Sequence, residues 1–282
     1  MATPSVGLAI VTYNGFRRVG SLLESLNTER GWLDRVLISE DPCPYPEVRE
    51  RLIGLANFFK VDLNLSDTWG CMQGNATRAM KKMNTDVVIL MSDDVLVTPG
   101  SMKAVRRFWE RYWHYPIGCA QTPYWGSWDD VIRFGFIHHP DEFYVDWESW
   151  IKKIPRNAHW EGTGVPRSYV NVHGCCFSIR KDVWTDVGGF SPTTWCYDED
   201  IAAKVWLHTP LSVVCHPGAP VVHYGGASQC GNEHPETTAH TLDAWVKDWG
   251  ADKPEIHARI REKMTERAFL DEYFQRNGFK HD

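Results

Sequence analysis

Three groups of residues in this chain have the types and spacing to do chemistry. The first is Ser92-Asp93-Asp94, which closes the apolar run Val87-Val88-Ile89-Leu90-Met91. A run this short and rich in β-branched residues reads as a strand buried on both faces. Acids at the carboxyl end of such a strand sit where open α/β sheets place ligands. Carboxylate oxygens are hard ligands, suited to a Mg²⁺ or Mn²⁺ ion that also touches phosphate. Asp94 is the better candidate ligand, being farther from the apolar run. The plainer alternative is that both acids cap the next turn. The second group is Asp198-Glu199-Asp200. Acids favour a helix start through the dipole, but three in a row exceed what capping needs. Their repulsion would raise at least one pKa unless a metal or a base is near. That suits a general base that takes a proton from a hydroxyl. The third is His223, at the end of the short apolar run before Gly225-Gly226. Alone it reads as a hydrogen-bonded structural histidine. With Asp94 it makes a plausible metal pair.

A further set falls at predicted strand ends. Thr12, Tyr13 and Asn14 end the first strand, and Glu40-Asp41 end the second. A carboxylate there can accept from a base N–H, and Tyr13 can stack on the base. Arg78, on the helix after Gly74-Asn75, can reach a phosphate.

The elements that must position these residues alternate. Strands are predicted at 6–12, 35–39, 61–65 and 87–91, with helices at 17–26, 47–59 and 70–83 between them. Strand–helix alternation implies a parallel sheet covered by helices, with right-handed crossovers. A further helix is expected at 101–113 and a strand at 118–122. Strands follow within 169–179, a short helix at 180–187 and a helix at 201–207. Short strands are expected at 212–215 and 220–223, and helices at 236–249 and 254–277. No GxGxxG follows the first strand, and there is no phosphate-binding loop with its lysine. That argues against a dinucleotide dehydrogenase, a P-loop kinase and a nucleotidyltransferase.

Across 282 residues the net charge is −6, which gives no general attraction to nucleic acid or anionic membrane. No apolar run approaches the roughly 20 residues that a membrane span needs. The first residues, MATPSVGLAIVTYNG, read as a strand and not as a signal peptide. Eight cysteines without a CxxC pair suit reduced, buried thiols in a cytoplasmic protein. Residues 123–167 break the alternation and concentrate tryptophan, among them Trp125, Trp128, Trp147, Trp150 and Trp160. A long irregular insertion of this kind commonly serves function, here the acceptor side of a cleft.

Taken together, these residues make the chain resemble the family-2-like glycosyltransferases with the GT-A fold. The matching pieces, in order, are VGLAIVTYNG, VLISEDP, GCMQGNATRAM, TDVVILMSDDVLVTPGSM, GCCFSIRKDVWTDVGGFSP, WCYDED and VVHYGGAS. The resemblance implies a GT-A catalytic domain over 1–230, with a nucleotide-sugar half (1–122) and an acceptor half (123–230). A helical extension over 231–282 matches nothing named. It implies sugar transfer from a nucleotide-sugar donor to a glycan or other hydroxyl acceptor, assisted by Mn²⁺ or Mg²⁺, with inversion. Asp94 falls on the last acid of the family's DxD motif, with Ser92 in place of the first acid and Asp93 between. Glu40 falls where an Asp contacts the base, which points to UDP over dTDP or GDP. Asp200 falls on the general base, with Glu199 beside it. His223 falls on a metal-ligating histidine, and Gly174 and Cys175 on the lining of the sugar pocket. Two rival readings stay open. One is a degenerate, non-catalytic binding module. The other is transfer to a modified base in DNA through Lys152, Lys153, Arg156 and Arg167, against which the net acidity counts.

Overall fold

A computed structural model of the chain describes residues 3–121, 167–168, 172, 174–192, 197–223 and 242–277. The first half is the expected alternation. Strands β1 (Val6–Thr12), β2 (Arg35–Glu40), β3 (Asp62–Leu65) and β4 (Val87–Ser92) are separated by helices α1 (Phe16–Leu26), α2 (Pro46–Phe59) and α3 (Cys71–Lys82). All four strands pair in parallel, in the order β3-β2-β1-β4.

Beyond β4 the sheet becomes mixed. After β5 (Val95–Val97), α4 (Ser101–Arg111), β6 (Ile117–Gln121) and β7 (Arg167–Ser168) comes β8 (Cys176–Arg180). Strand β8 runs antiparallel between β4 and β6. Helices α5 (Lys181–Asp186) and α6 (Tyr197–His208) lead to β9 (Val213–His223), and α7 (Leu242–Trp249) and α8 (Lys253–Asn277) follow. Strand β9 pairs with β6 in parallel and with β5 and β7 in the antiparallel sense.

Two short strands were expected where β9 is a single one. Its partner changes along its length, from β6 near Val213 to β5 at His223, across an irregularity in register. Pro217 and Pro220 fall in this strand, and a residue without an N–H belongs where a ladder is interrupted.

Strand alternation divides the core into two layers. Leu8, Ile10 and Ile89 face α1, α2 and α4, where Leu22, Leu52 and Trp109 meet them. Ala9, Val11, Val88 and Leu90 face the other layer, with Met80, Trp184 and Trp206. Ile256 and Ile260 of α8 lie fully buried in that second layer, so the last helices share the sheet's core. Among the described residues, no helix is long and apolar enough to cross a membrane.

Candidate functional site

The parallel register sets the site. Thr12 lies opposite Glu40, and Val11 opposite Ser92, so the ends of β1, β2 and β4 form one edge. Asn75 of α3 ties that edge together, its side-chain amide donating to the Thr12 and Ser39 carbonyls at 3.1 and 3.0 Å.

At the turn after β4 the two acids part. Asp93 points inward, 1% exposed. Its carboxylate accepts from Thr12 Oγ1 at 2.5 Å and from Arg18 Nε and Nη2 at 3.0 and 3.1 Å. Burial pushes its pKa up against the pull of Arg18. A Cβ on Gly15 would overlap Asp93 Oδ2 and Thr12 Oγ1, so only glycine fits beneath this pair. Asp93 is therefore a strut between β1, α1 and β4, with its oxygens engaged by Thr12 and Arg18.

Asp94 takes the other direction. Ser92 Oγ donates to its Oδ1 at 2.6 Å, and His223 Nε2 lies 3.3 Å from its Oδ2. The antiparallel pairing of β5 with β9 puts Val95 opposite His223 and so delivers the histidine. Burial would raise the Asp94 pKa, but His223 and Ser92 outweigh it and hold the carboxyl below its ordinary value. A hard oxygen and an imidazole nitrogen at 3.3 Å fit two adjacent ligands of an octahedral ion with bonds of about 2.1 Å. Among the described residues no third His, Cys, Asp or Glu completes a cage. That suits an ion that draws its remaining ligands from phosphate and water.

The three acids of α6 also diverge. Asp200, the base that the resemblance implies, is fully buried. It accepts from Ser191 N–H and Oγ at 2.8 Å each and from Trp249 Nε1 at 2.9 Å, and Lys204 Nζ lies 3.3 Å away. No face of it is open to an acceptor hydroxyl. Glu199 turns to Lys253 Nζ at 2.5 Å. Asp198, partly exposed, turns the third way, toward Gly174, whose N–H it accepts. A side chain on Gly174 would press on the Asp198 carboxylate, which explains the glycine. The next residue, Cys175, accepts the Ser92 N–H at 2.9 Å. Asp198 therefore joins the edge that holds Asp94. Burial first, and Glu199 second, push its pKa to about 6.

At the far end of the edge, Glu40 is fully buried, with Arg49 Nε on Oε2 at 3.2 Å. Burial raises its pKa despite Arg49. Among the described residues its Oε1 is an acceptor with no hydrogen-bond partner. Arg78 is engaged by Asp41, whose pKa burial pushes up to about 6. Tyr13 meets Trp69 edge-on, with ring centres 4.9 Å apart. Asn14 adopts a left-handed backbone at φ 50°, which turns the chain from β1 into α1.

The structure thus gathers Thr12, Tyr13, Asn14, Glu40, Asp94, Gly174, Asp198 and His223 along one edge. It sends Asp93 and Asp200 inward and leaves Arg78 on Asp41. Arg18 and Arg49 were not singled out from sequence, where nothing separates them from other surface arginines. The tryptophans expected to form an acceptor wall lie outside the described residues. So do Lys152, Lys153 and Arg156.

Neither the known protein families nor the curated proteins contain a match to this chain. Solved structures do match in shape. One is GalNAc-T7 with UDP, GalNAc and Mn²⁺, at a TM-score of 0.61 and 11% identity over 97% of this chain and 58% of that one. Another is the mannosyltransferase PcManGT from Pyrobaculum calidifontis with GDP-Man and Mn²⁺, at 0.58 and 12% over 95% and 76%. The chain therefore spans a little over half the length of the first. At such identities the likeness lies in the fold alone, which is the GT-A fold.

Proposed function

We propose that this protein is a glycosyltransferase that moves a sugar from a nucleoside-diphosphate sugar to an acceptor hydroxyl with inversion. The observation that carries it is the meeting of Asp94 and His223 at 3.3 Å on the strand edge. Asp198 lies beside them across the Gly174-Cys175 backbone. Asp94 and His223 would hold a metal ion on the diphosphate there, with Asp198 on the same edge to serve as the base.

Glu40 Oε1 is a fixed acceptor for a base N–H, and Tyr13 and Trp69 give an aromatic flank. UDP, whose base offers one such N–H, is the donor nucleotide we favour. Asp94 and His223 would hold Mn²⁺ or Mg²⁺. When bound, the ion offsets the charge that grows on the departing diphosphate. We assign the general base to Asp198 and not to Asp200. Above pH about 6 Asp198 is ionised and takes the proton of the acceptor hydroxyl. The hydroxyl oxygen then bonds to C1 of the sugar as the bond from C1 to the diphosphate oxygen breaks. A single in-line displacement of this kind inverts the anomeric centre. The acceptor is a glycan or another hydroxyl compound, and no described residue favours DNA. We place the protein in the cytoplasm, where buried thiols such as Cys176 stay reduced.

A thermal-shift series with UDP, GDP, dTDP and their sugars, with and without Mn²⁺, tests the reading. A bound donor stabilises the fold by mass action, by about 2.7 kcal/mol at a hundred times its Kd. We expect the largest shift for a uridine nucleotide with Mn²⁺. No shift with any nucleotide would sink the reading.

A further inference from the structure

Every acid in the first turn of α6 is accounted for, and two of the three are held by the segment joining α7 to α8. Trp249 ends α7 and donates to Asp200. Lys253 begins α8 and meets Glu199. Between them the chain turns at Gly250, at φ 66°, and Asp252 caps the start of α8 by accepting the Glu255 N–H at 2.9 Å. The two grips are thus fixed to each other by a tight turn. Helix α8 is in turn fixed along α6. Ile256 and Ile260 are buried against it, and Arg267 donates to the Trp206, Thr209 and Leu211 carbonyls beyond its carboxyl end.

We propose that Lys253 is a positioning residue: it draws Glu199 away from the donor edge and offsets its charge, so that Asp198 alone is presented there as an ionisable acid. The inference rests on the reading of Asp198 as the base. Lys253 is about one-third exposed and Glu199 mostly buried, and their ion pair joins the start of α8 to the first turn of α6. The pair also bears on Asp198: Glu199 acts directly on that carboxyl, and Lys253, held against Glu199, would offset its charge. Other charged groups near the pair include Asp200 and Lys204 on α6, Asp252 before α8, and His257 and Arg261 on α8, while Asp94 acts on the neighbouring Tyr197.

The test follows the Asp198 carboxyl by carbon NMR through a pH titration of the full chain, without ligand. The signal is assigned by its loss in Asp198→Asn. Lys253→Met should move the midpoint up by about one pH unit, the scale on which a neighbouring charge acts. Lys253→Arg should restore it. Glu199→Gln should move it down and make a second change at Lys253 silent. In turnover assays the acid limb of kcat/KM should move with the midpoint while KM for donor holds. A folded Lys253→Met protein with an unmoved midpoint would overturn the proposal. If Lys253→Met does not fold, an unmoved midpoint in Glu199→Gln overturns it instead. Failure of the glycosyltransferase reading would look different: no turnover with any donor, with the titration still moved by Lys253.

Discussion

The turn after β4 and the first turn of α6 solve the same problem alike. Each brings carboxylates close together at the edge of the sheet. In each, one acid is sealed inside by a cation and by hydroxyl or N–H donors: Asp93 by Arg18 and Thr12, and Asp200 by Lys204, Ser191 and Trp249. In each, another acid is left to the edge: Asp94 toward His223, and Asp198 toward Gly174. Residue type and adjacency do not assign these roles. The groups that reach each carboxylate from other elements do.

The largest effect that would break this comparison is on turnover. Asp198→Asn should lower transfer by about 10²–10⁴-fold, the usual contribution of a general base, and keep donor affinity. If Asp200→Asn instead gave that loss in a protein of unchanged stability, the two acids would have to exchange roles. Next in size is the strut after β4. Asp93→Asn leaves Arg18 without its buried counter-charge and should cost about 3–5 kcal/mol in a urea melt. Asp94→Asn should cost less and should instead abolish the Mn²⁺-dependent part of nucleotide binding, measured by calorimetry. Asp200→Asn replaces an acceptor at a crowded buried site and should cost about 1–3 kcal/mol, with Mn²⁺-dependent binding retained.

The smallest effect is on the pH dependence of stability. The Asp198 pKa is raised from 3.8 to about 6 in the folded protein, so the native state binds its proton more readily. Its contribution is full below pH about 4 and lost as pH rises through about 6. Asp198→Asn should flatten that slope, by about 1 kcal/mol once partial exposure is discounted. Melting temperatures between pH 4 and 7 would show it. A slope unchanged in the variant would mean that the carboxyl titrates like a solvated one.

The first half of the sheet is legible in sequence because its signals are local. Strand β1 was expected at 6–12 and spans Val6–Thr12, and the helices between strands fall within a few residues of their predicted bounds. The meeting of Asp94 with His223 was anticipated as a pair, but not its cause. The cause is β5, three residues long and too short to show a period. The fate of Asp93 was not legible, because Arg17 and Arg18 read alike until α1 points one of them at β4. The burial of Asp200 is not legible in sequence for the same reason. Its burial depends on Trp249, from a helix far along the chain that resembles nothing named, and on Ser191 in the loop before α6. Proximity in three dimensions, not periodicity, decided both.

The grip of α8 on both ends of α6 sets an order of events during synthesis. The ends of β1, β2 and β4 lie within the first hundred residues, whereas α6 and His223 come from the second half of the chain. The acid that would activate an acceptor is not locked in place until Lys253 and Arg267 have left the ribosome and folded back. A chain released before residue 253 would lack both grips on α6 and, with Ile256 and Ile260, part of the second core layer, so placement of the α6 acids and stability should fall together.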